Sequence, residues 1–272
     1  MDVSGMKIAI TGAASGIGRE IAINYAKRNA VVYAIDINAE ALEQLEAEAV
    51  KNGWEINSRL IDLSEMSQLV GLVEGIDDCS IWVNAAGIAR NGRLIDMTAE
   101  DVSRSISVNL ECLIQLTRLV AKNMATKGHG HIVNIASVAG HLPAPYMSVY
   151  TATKHAVVGF TRAFQAELEL DSSPVSLTLV SPGFVDTPLI ARGQDMGFPN
   201  WLKFLLATPE SVADAVVSAV DKKKKEVVPT FNGKLMLGAQ KVIPGGIVKS
   251  SRLLLTKSFK DWVFNRYELP GR

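Results

Sequence analysis

Short apolar runs alternate with longer stretches of helical periodicity along most of the chain. Lys7-Ile8-Ala9-Ile10-Thr11 is too uniformly apolar for a half-exposed strand and predicts one covered on both faces. Ile17, Ile21, Tyr25 and Ala26 then recur at helical spacing. A second strand follows at 31–35, then a helix with Leu42, Leu45 and Ala49 on one face. A weaker strand is expected at 56–61, and two more at 81–83 and 132–135 with a long helix between them. A sixth is expected at 175–180 and a short seventh at 227–228. Thr98 with Asp101, and Thr208 with Pro209, mark helix starts: a hydroxyl to take a free first-turn N–H, then an acid or a first-turn proline.

Strands that alternate with helices and lack polar positions imply a parallel sheet with helices on both faces. That is an α/β fold of the doubly wound (Rossmann) kind, with about seven strands. No Gly/Ser- or Pro-rich linker and no repeat divides the 272 residues, which predicts a single domain. Its core is expected at 6–230, with a lid at 188–208 and a C-terminal helical, amphipathic extension at 231–272. The formal net charge is zero, which argues against bulk nucleic-acid binding. Cys79 and Cys112 stand in no metal-ligand pattern and are expected to be buried apolar groups. His129-Gly130-His131 has no acidic or cysteine companions and reads as an exposed turn, so no metal is expected. The start of the chain has no charged-then-apolar leader and no run of about 18 apolar residues occurs, so the expected location is cytoplasmic. The lysine run 222–225 reads as a solvated helix end. The extension interleaves apolar and basic residues. That pattern suits closure over a cleft or a subunit contact, with peripheral membrane contact as the alternative.

Candidate chemistry begins where the first strand runs into Thr11-Gly12-Ala13-Ala14-Ser15-Gly16-Ile17-Gly18 and a helix starts. Glycines at such a turn let backbone approach a pyrophosphate, and the helix start offers free N–H groups. Asp36 closes the second strand, where a carboxylate accepts from ribose hydroxyls and repels a 2′-phosphate. No basic residue follows it, which favours NAD over NADP. Tyr150 and Lys154 are four apart on a helical pattern, so the ammonium can approach the phenol and favour its ionised form.

The Thr-Gly-x-x-x-Gly-x-Gly turn, Asn84-Ala85-Ala86-Gly87, Asn109, Ser137 and Tyr150-x-x-x-Lys154 stand in one order and spacing. In this the chain resembles the short-chain dehydrogenase/reductase family over roughly residues 6–230. Ser181-Pro182-Gly183-Phe184-Val185-Asp186-Thr187 also looks like that family's nicotinamide-side loop. The resemblance implies that Ser137 holds the substrate oxygen and that Tyr150 is the acid/base. Lys154 would tune the phenol and bind the nicotinamide ribose, and Asn109 would hold a water leading from Lys154 to solvent. Gly12, Ser15, Gly16, Ile17, Gly18 and Asp36 would hold the adenosine and pyrophosphate. Asp62 would meet the adenine with Leu63 beside it, Asn84 to Gly87 would form the floor, and Pro182, Gly183, Val185 and Thr187 would line the nicotinamide side. It further implies a homodimer or homotetramer built on helices near 100–126 and 150–170.

The expected function is therefore an NAD-dependent oxidoreductase that interconverts a secondary alcohol and a ketone. The alternatives are an NADP-preferring 3-oxoacyl reductase and a non-catalytic dinucleotide-binding scaffold. Leu189, Ile190, Met196, Phe198, Trp201, Phe204, Leu205 and Leu206 in the lid, with Leu142, Tyr146 and Met147, suit a hydrophobic small-molecule substrate.

Overall fold

A computed structural model describes residues 1–187 and 206–242. The elements run β1 (Lys7–Thr11), α1 (Gly16–Lys27), β2 (Val31–Asp36), α2 (Ala39–Asn52), β3 (Ile56–Leu60), α3 (Leu69–Glu74) and β4 (Cys79–Asn84). They continue with α4 (Ala99–Ile106), α5 (Cys112–Lys127), β5 (Gly130–Ile135), α6 (Ser148–Leu170), β6 (Val175–Val180), α7 (Pro209–Asp221), β7 (Glu226–Val227) and α8 (Phe231–Val242). All seven strands pair in parallel in one sheet, ordered β3-β2-β1-β4-β5-β6-β7.

The apolar strands follow from burial on both faces. Ile8, Ile10, Ile81, Val83 and Val133 point to the side of α1, α2 and α7, while Ala9, Trp82 and Ile132 point to the side of α3 and α5. The helix starts read from hydroxyls hold: Thr98 Oγ1 accepts from Asp101 N–H and Thr208 Oγ1 from Ser211 N–H. The long helix expected after Thr98 is instead α4 and α5 joined by a π-helical turn at Ser107–Glu111. Such turns open the helical ladder by one residue and aim a side chain or carbonyl differently. The strand order reverses between β1 and β4, where Thr11 lies beside Asn84, and a crevice opens there outside the strand ends.

One expectation is corrected and one element was missed. His131 is not part of an exposed turn: it is buried on β5, with Nε2 hydrogen-bonded to Thr178 Oγ1 at 2.8 Å. Burial pushes its imidazole down to about 4. The six-residue α3 was not anticipated. Cys112 is buried and Cys79 half-buried; burial pushes each thiol up to about 12, which makes both inert. No group of residues suited to a metal ion occurs among the described residues, and no helix there is long and apolar enough to cross a membrane. The lid positions 188–205 and the extension beyond Val242 lie outside the described residues.

Candidate active site

The turn after β1 is shaped by close approach. Gly12 has φ +69°, and a Cβ there would sit 2.8 Å from Ala86 Cα. A Cβ on Gly18 would lie 2.2 Å from the carbonyl oxygen of Gly12, so the first turn of α1 rests on the turn's own backbone. Thr11 Oγ1 accepts from the N–H groups of Ala85 and Ala86, at 3.1 and 3.2 Å, and pins the segment after β4 against the turn. Ser15 is the N-cap of α1, Gly16 has φ +55°, and Ile17 packs on the core. The resulting cradle has bare backbone where a pyrophosphate needs room, and its residues fit a dinucleotide.

Asp36 sits at the rim of this cradle. One carboxylate oxygen accepts from Ala14 N–H at 3.0 Å, and the other from Ile37 and Asn38 N–H at 2.8 and 3.0 Å. The carboxylate thus ties the end of β2 to the glycine-rich turn. Asp62 accepts from the backbone and hydroxyl of Ser64, which hold its carboxyl below the usual range, and Arg104 lies 3.9 Å away. Leu63 is buried beside it. Asn84 departs from the expected cofactor floor. Its side chain is buried in a network with Trp82, Thr117 and Asn134, so Asn84 itself can offer the crevice only its backbone.

The acid/base group assembles from three elements. Ser137, two residues past β5, stands beside the Tyr150 phenol, close enough to pull its pKa down. Lys154 is one helical turn further along α6. Its Nζ lies 5.7 Å from the Tyr150 ring centroid and donates to the Ile135 carbonyl at 2.9 Å. Asn109, in the π-helical turn, is fully buried; it accepts from Ile88 N–H and donates to Ile88 O, both at 2.8 Å. It also donates to Thr153 Oγ1 at 3.3 Å, and Thr153 in turn donates to the Tyr150 carbonyl at 2.7 Å. Gly87 closes the circle: a Cβ there would lie 3.3 Å from Asn109 Oδ1 and 3.7 Å from Lys154 Nζ. Glycine-rich turn, Asn109, Ser137, Tyr150 and Lys154 therefore meet at one end of the sheet.

Burial works against the expected tuning of the phenol. Burial raises the Tyr150 pKa, and Ser137 opposes this only in part. Burial also lowers Lys154 from 10.5 to about 8. The unfolded chain then holds more protons than the folded one between about pH 8 and 10.5, so Lys154 makes stability climb with rising pH across that window. Lys154→Met removes this slope. Urea titrations between pH 8 and 10 are expected to show the rise in the parent and not in the variant.

The loop at 181–187 borders the same crevice. Val138 N–H donates to Pro182 O at 2.8 Å, Val185 bridges to Ala207, and Val185 and Thr187 are buried. Sequence reading missed Thr11, Thr153, Thr230 and Asn232. Thr11 was visible within the Thr-Gly motif. The others bond to backbone or side chains that the sequence pattern does not bring together.

The family model for short chain dehydrogenases matches residues 6–196. The chain belongs to the short-chain dehydrogenase family of oxidoreductases. It is 32% identical over 268 residues to the probable oxidoreductase EphD of Mycobacterium tuberculosis, covering 90% of this chain and 44% of that protein. The chain thus spans less than half the length of that relative. It is 30% identical to human 17-beta-hydroxysteroid dehydrogenase 13, covering 89% of this chain and 80% of the relative. A solved short-chain dehydrogenase from Sphingobium yanoikuyae in complex with NADPH superposes with a TM-score of 0.76 at 26% identity, covering 90% of this chain and 95% of that one.

Proposed function

We propose that the chain is an NAD-dependent oxidoreductase that interconverts a secondary alcohol and a ketone on a hydrophobic substrate. The observation that carries this is the gathering of the buried Tyr150 phenol, Ser137 and Lys154 in one place, within reach of the glycine-rich cradle. Gly12, Gly16, Gly18 and Asp36 hold the dinucleotide's adenosine half, and Gly183, Val185 and Thr187 its nicotinamide side. When bound, the dinucleotide supplies a ring carbon that accepts or gives hydride.

The chain's own groups handle the proton and the charge. In ketone reduction, negative charge grows on the carbonyl oxygen. Two hydroxyls, Ser137 Oγ and Tyr150 Oη, converge to stabilise it, and Tyr150 gives its proton to that oxygen. Oxidation reverses this: the phenolate takes the alcohol's proton as the carbon loses hydride. Lys154 offsets the phenolate's charge, and Asn109 holds Ile88 and Thr153 so that the first turn of α6 keeps its place.

The hydrophobic substrate is supported by the half-buried Tyr146 and Met147 just before α6, and by the relative whose name specifies a hydroxysteroid; Leu142, expected beside them, is buried in the core. The test is a panel of secondary alcohols and ketones, followed by reduced-nicotinamide absorbance. Turnover of steroid-like or medium-chain ketones above polyols is expected; the reverse ranking rejects the substrate class. We also infer association through α4, α5 and α6 into a homodimer or homotetramer, which sedimentation measures.

The preference for NAD is supported by Asp36 at the end of β2, a carboxylate that would accept from ribose hydroxyls and repel a 2′-phosphate. Asp36→Asn is expected to lower the ratio of kcat/KM for NAD over NADP by roughly tenfold or more, as a charged hydrogen bond is lost and a repulsion removed. An unmodified chain that favours NADP overturns this role.

A further inference from the structure

The loop at 181–187 is irregular, and its backbone groups need partners from elsewhere. Two side chains at the start of α8 provide them. Gly183 N–H donates to Thr230 Oγ1 at 2.9 Å. Phe184 N–H donates to Asn232 Oδ1 at 3.1 Å, and Asn232 Nδ2 donates back to Phe184 O at 2.9 Å. One amide therefore reads both polar groups of a single residue, as a neighbouring strand would.

The pair is internally locked. Thr230 Oγ1 donates its one proton to Asn232 Oδ1 at 2.9 Å, which leaves its lone pairs for the N–H groups of Gly183 and Gly233. Thr230 is 2% exposed and Asn232 is 7% exposed. A Cβ on Gly183 would fall 1.9 Å from Asn232 Oδ1, so the amide lies directly on the loop backbone. On its other side the loop reaches the acid/base group, because Pro182 O accepts from Val138 N–H, next to Ser137. A Cβ on Gly233 would in turn lie 3.0 Å from Val138 Cγ1.

We propose that Thr230 and Asn232 are positioning residues for the nicotinamide side of the site. They set the backbone at Gly183 and Phe184 and, through Pro182, the turn that carries Ser137. They do not touch the reacting atoms. This rests on the reading that the loop at 181–187 faces a bound nicotinamide ring.

The experiment uses the full chain and compares the affinity of NADH with that of ADP-ribose, which lacks the nicotinamide. Thr230→Val keeps size and loses the hydroxyl; Asn232→Ala removes the amide. Each is expected to weaken NADH by roughly tenfold while ADP-ribose stays within about twofold, since the hydrogen bonds lost serve only one end of the site. Thr230→Ser is expected to recover most of what Thr230→Val loses. Equal weakening of both ligands, or no change in either, overturns the proposal. Should Asn232→Ala not fold, the Thr230 pair decides alone. An unmodified chain that binds ADP-ribose but gains nothing from the nicotinamide overturns the functional reading itself, and the positioning role with it.

Discussion

Tyr150→Phe is expected to lower kcat by about 10³-fold or more while NADH binding changes by less than about twofold. The phenol stands beside Ser137 and can give or take a proton. Positioned acid/base groups contribute about 10²–10⁴-fold, and removal of one donor to a developing oxyanion adds to that. The ring itself stays, so packing is kept and thermal stability should fall by only about 1 kcal/mol, the worth of one hydrogen bond. Burial raises the phenol's pKa and so favours its protonated, donating form. Alcohol oxidation should therefore climb with pH from neutrality upward, while ketone reduction holds steady over the same range. A Phe variant that keeps a tenth of the parent's turnover would falsify the assignment of Tyr150 as acid/base.

Gly18→Ala is expected to damage both folding and dinucleotide binding. Its Cβ would meet a backbone oxygen at 2.2 Å, and no side chain can swing aside to relieve it. Either α1 shifts along its axis or the turn at Gly12 opens. Overpacking of this kind costs about 1–3 kcal/mol or more, and the displaced turn is the one that would hold the pyrophosphate. NADH affinity should fall more than about tenfold, together with a lower melting temperature. Gly159→Ala is the control: nothing lies within 4 Å of its Cβ on α6, and alanine is the better helix former by about 1 kcal/mol. If the two variants melt alike, close approach is not what keeps position 18 a glycine.

Much of the sheet was legible because burial on both faces leaves apolar strands with little alternative reading. The glycine-rich turn was legible because its spacing is a local consequence of backbone approaching backbone. What stayed hidden depended on partners distant along the chain. His131 finds Thr178 only once β5 and β6 pair in register, so its strand end looked like a turn. Asn84 looked like part of the cofactor floor, yet its side chain is claimed by Thr117 and Asn134. The direction of the Tyr150 shift could not be read from Lys154 alone, since spacing reveals a neighbouring charge but not the water that folding removes. A helix of six residues such as α3 is shorter than the two turns that periodicity needs to declare itself.

The bonds from Thr230 and Asn232 to Gly183 and Phe184 also bear on the order in which the molecule is completed during synthesis. Strands β1 to β6 and the glycine-rich turn have all left the ribosome before residue 230 is made, and can begin to pair. The backbone at Gly183 and Phe184 must wait for those later residues before its polar groups are met. A nascent chain stopped short of Thr230 could therefore form most of the sheet while its nicotinamide side is still open.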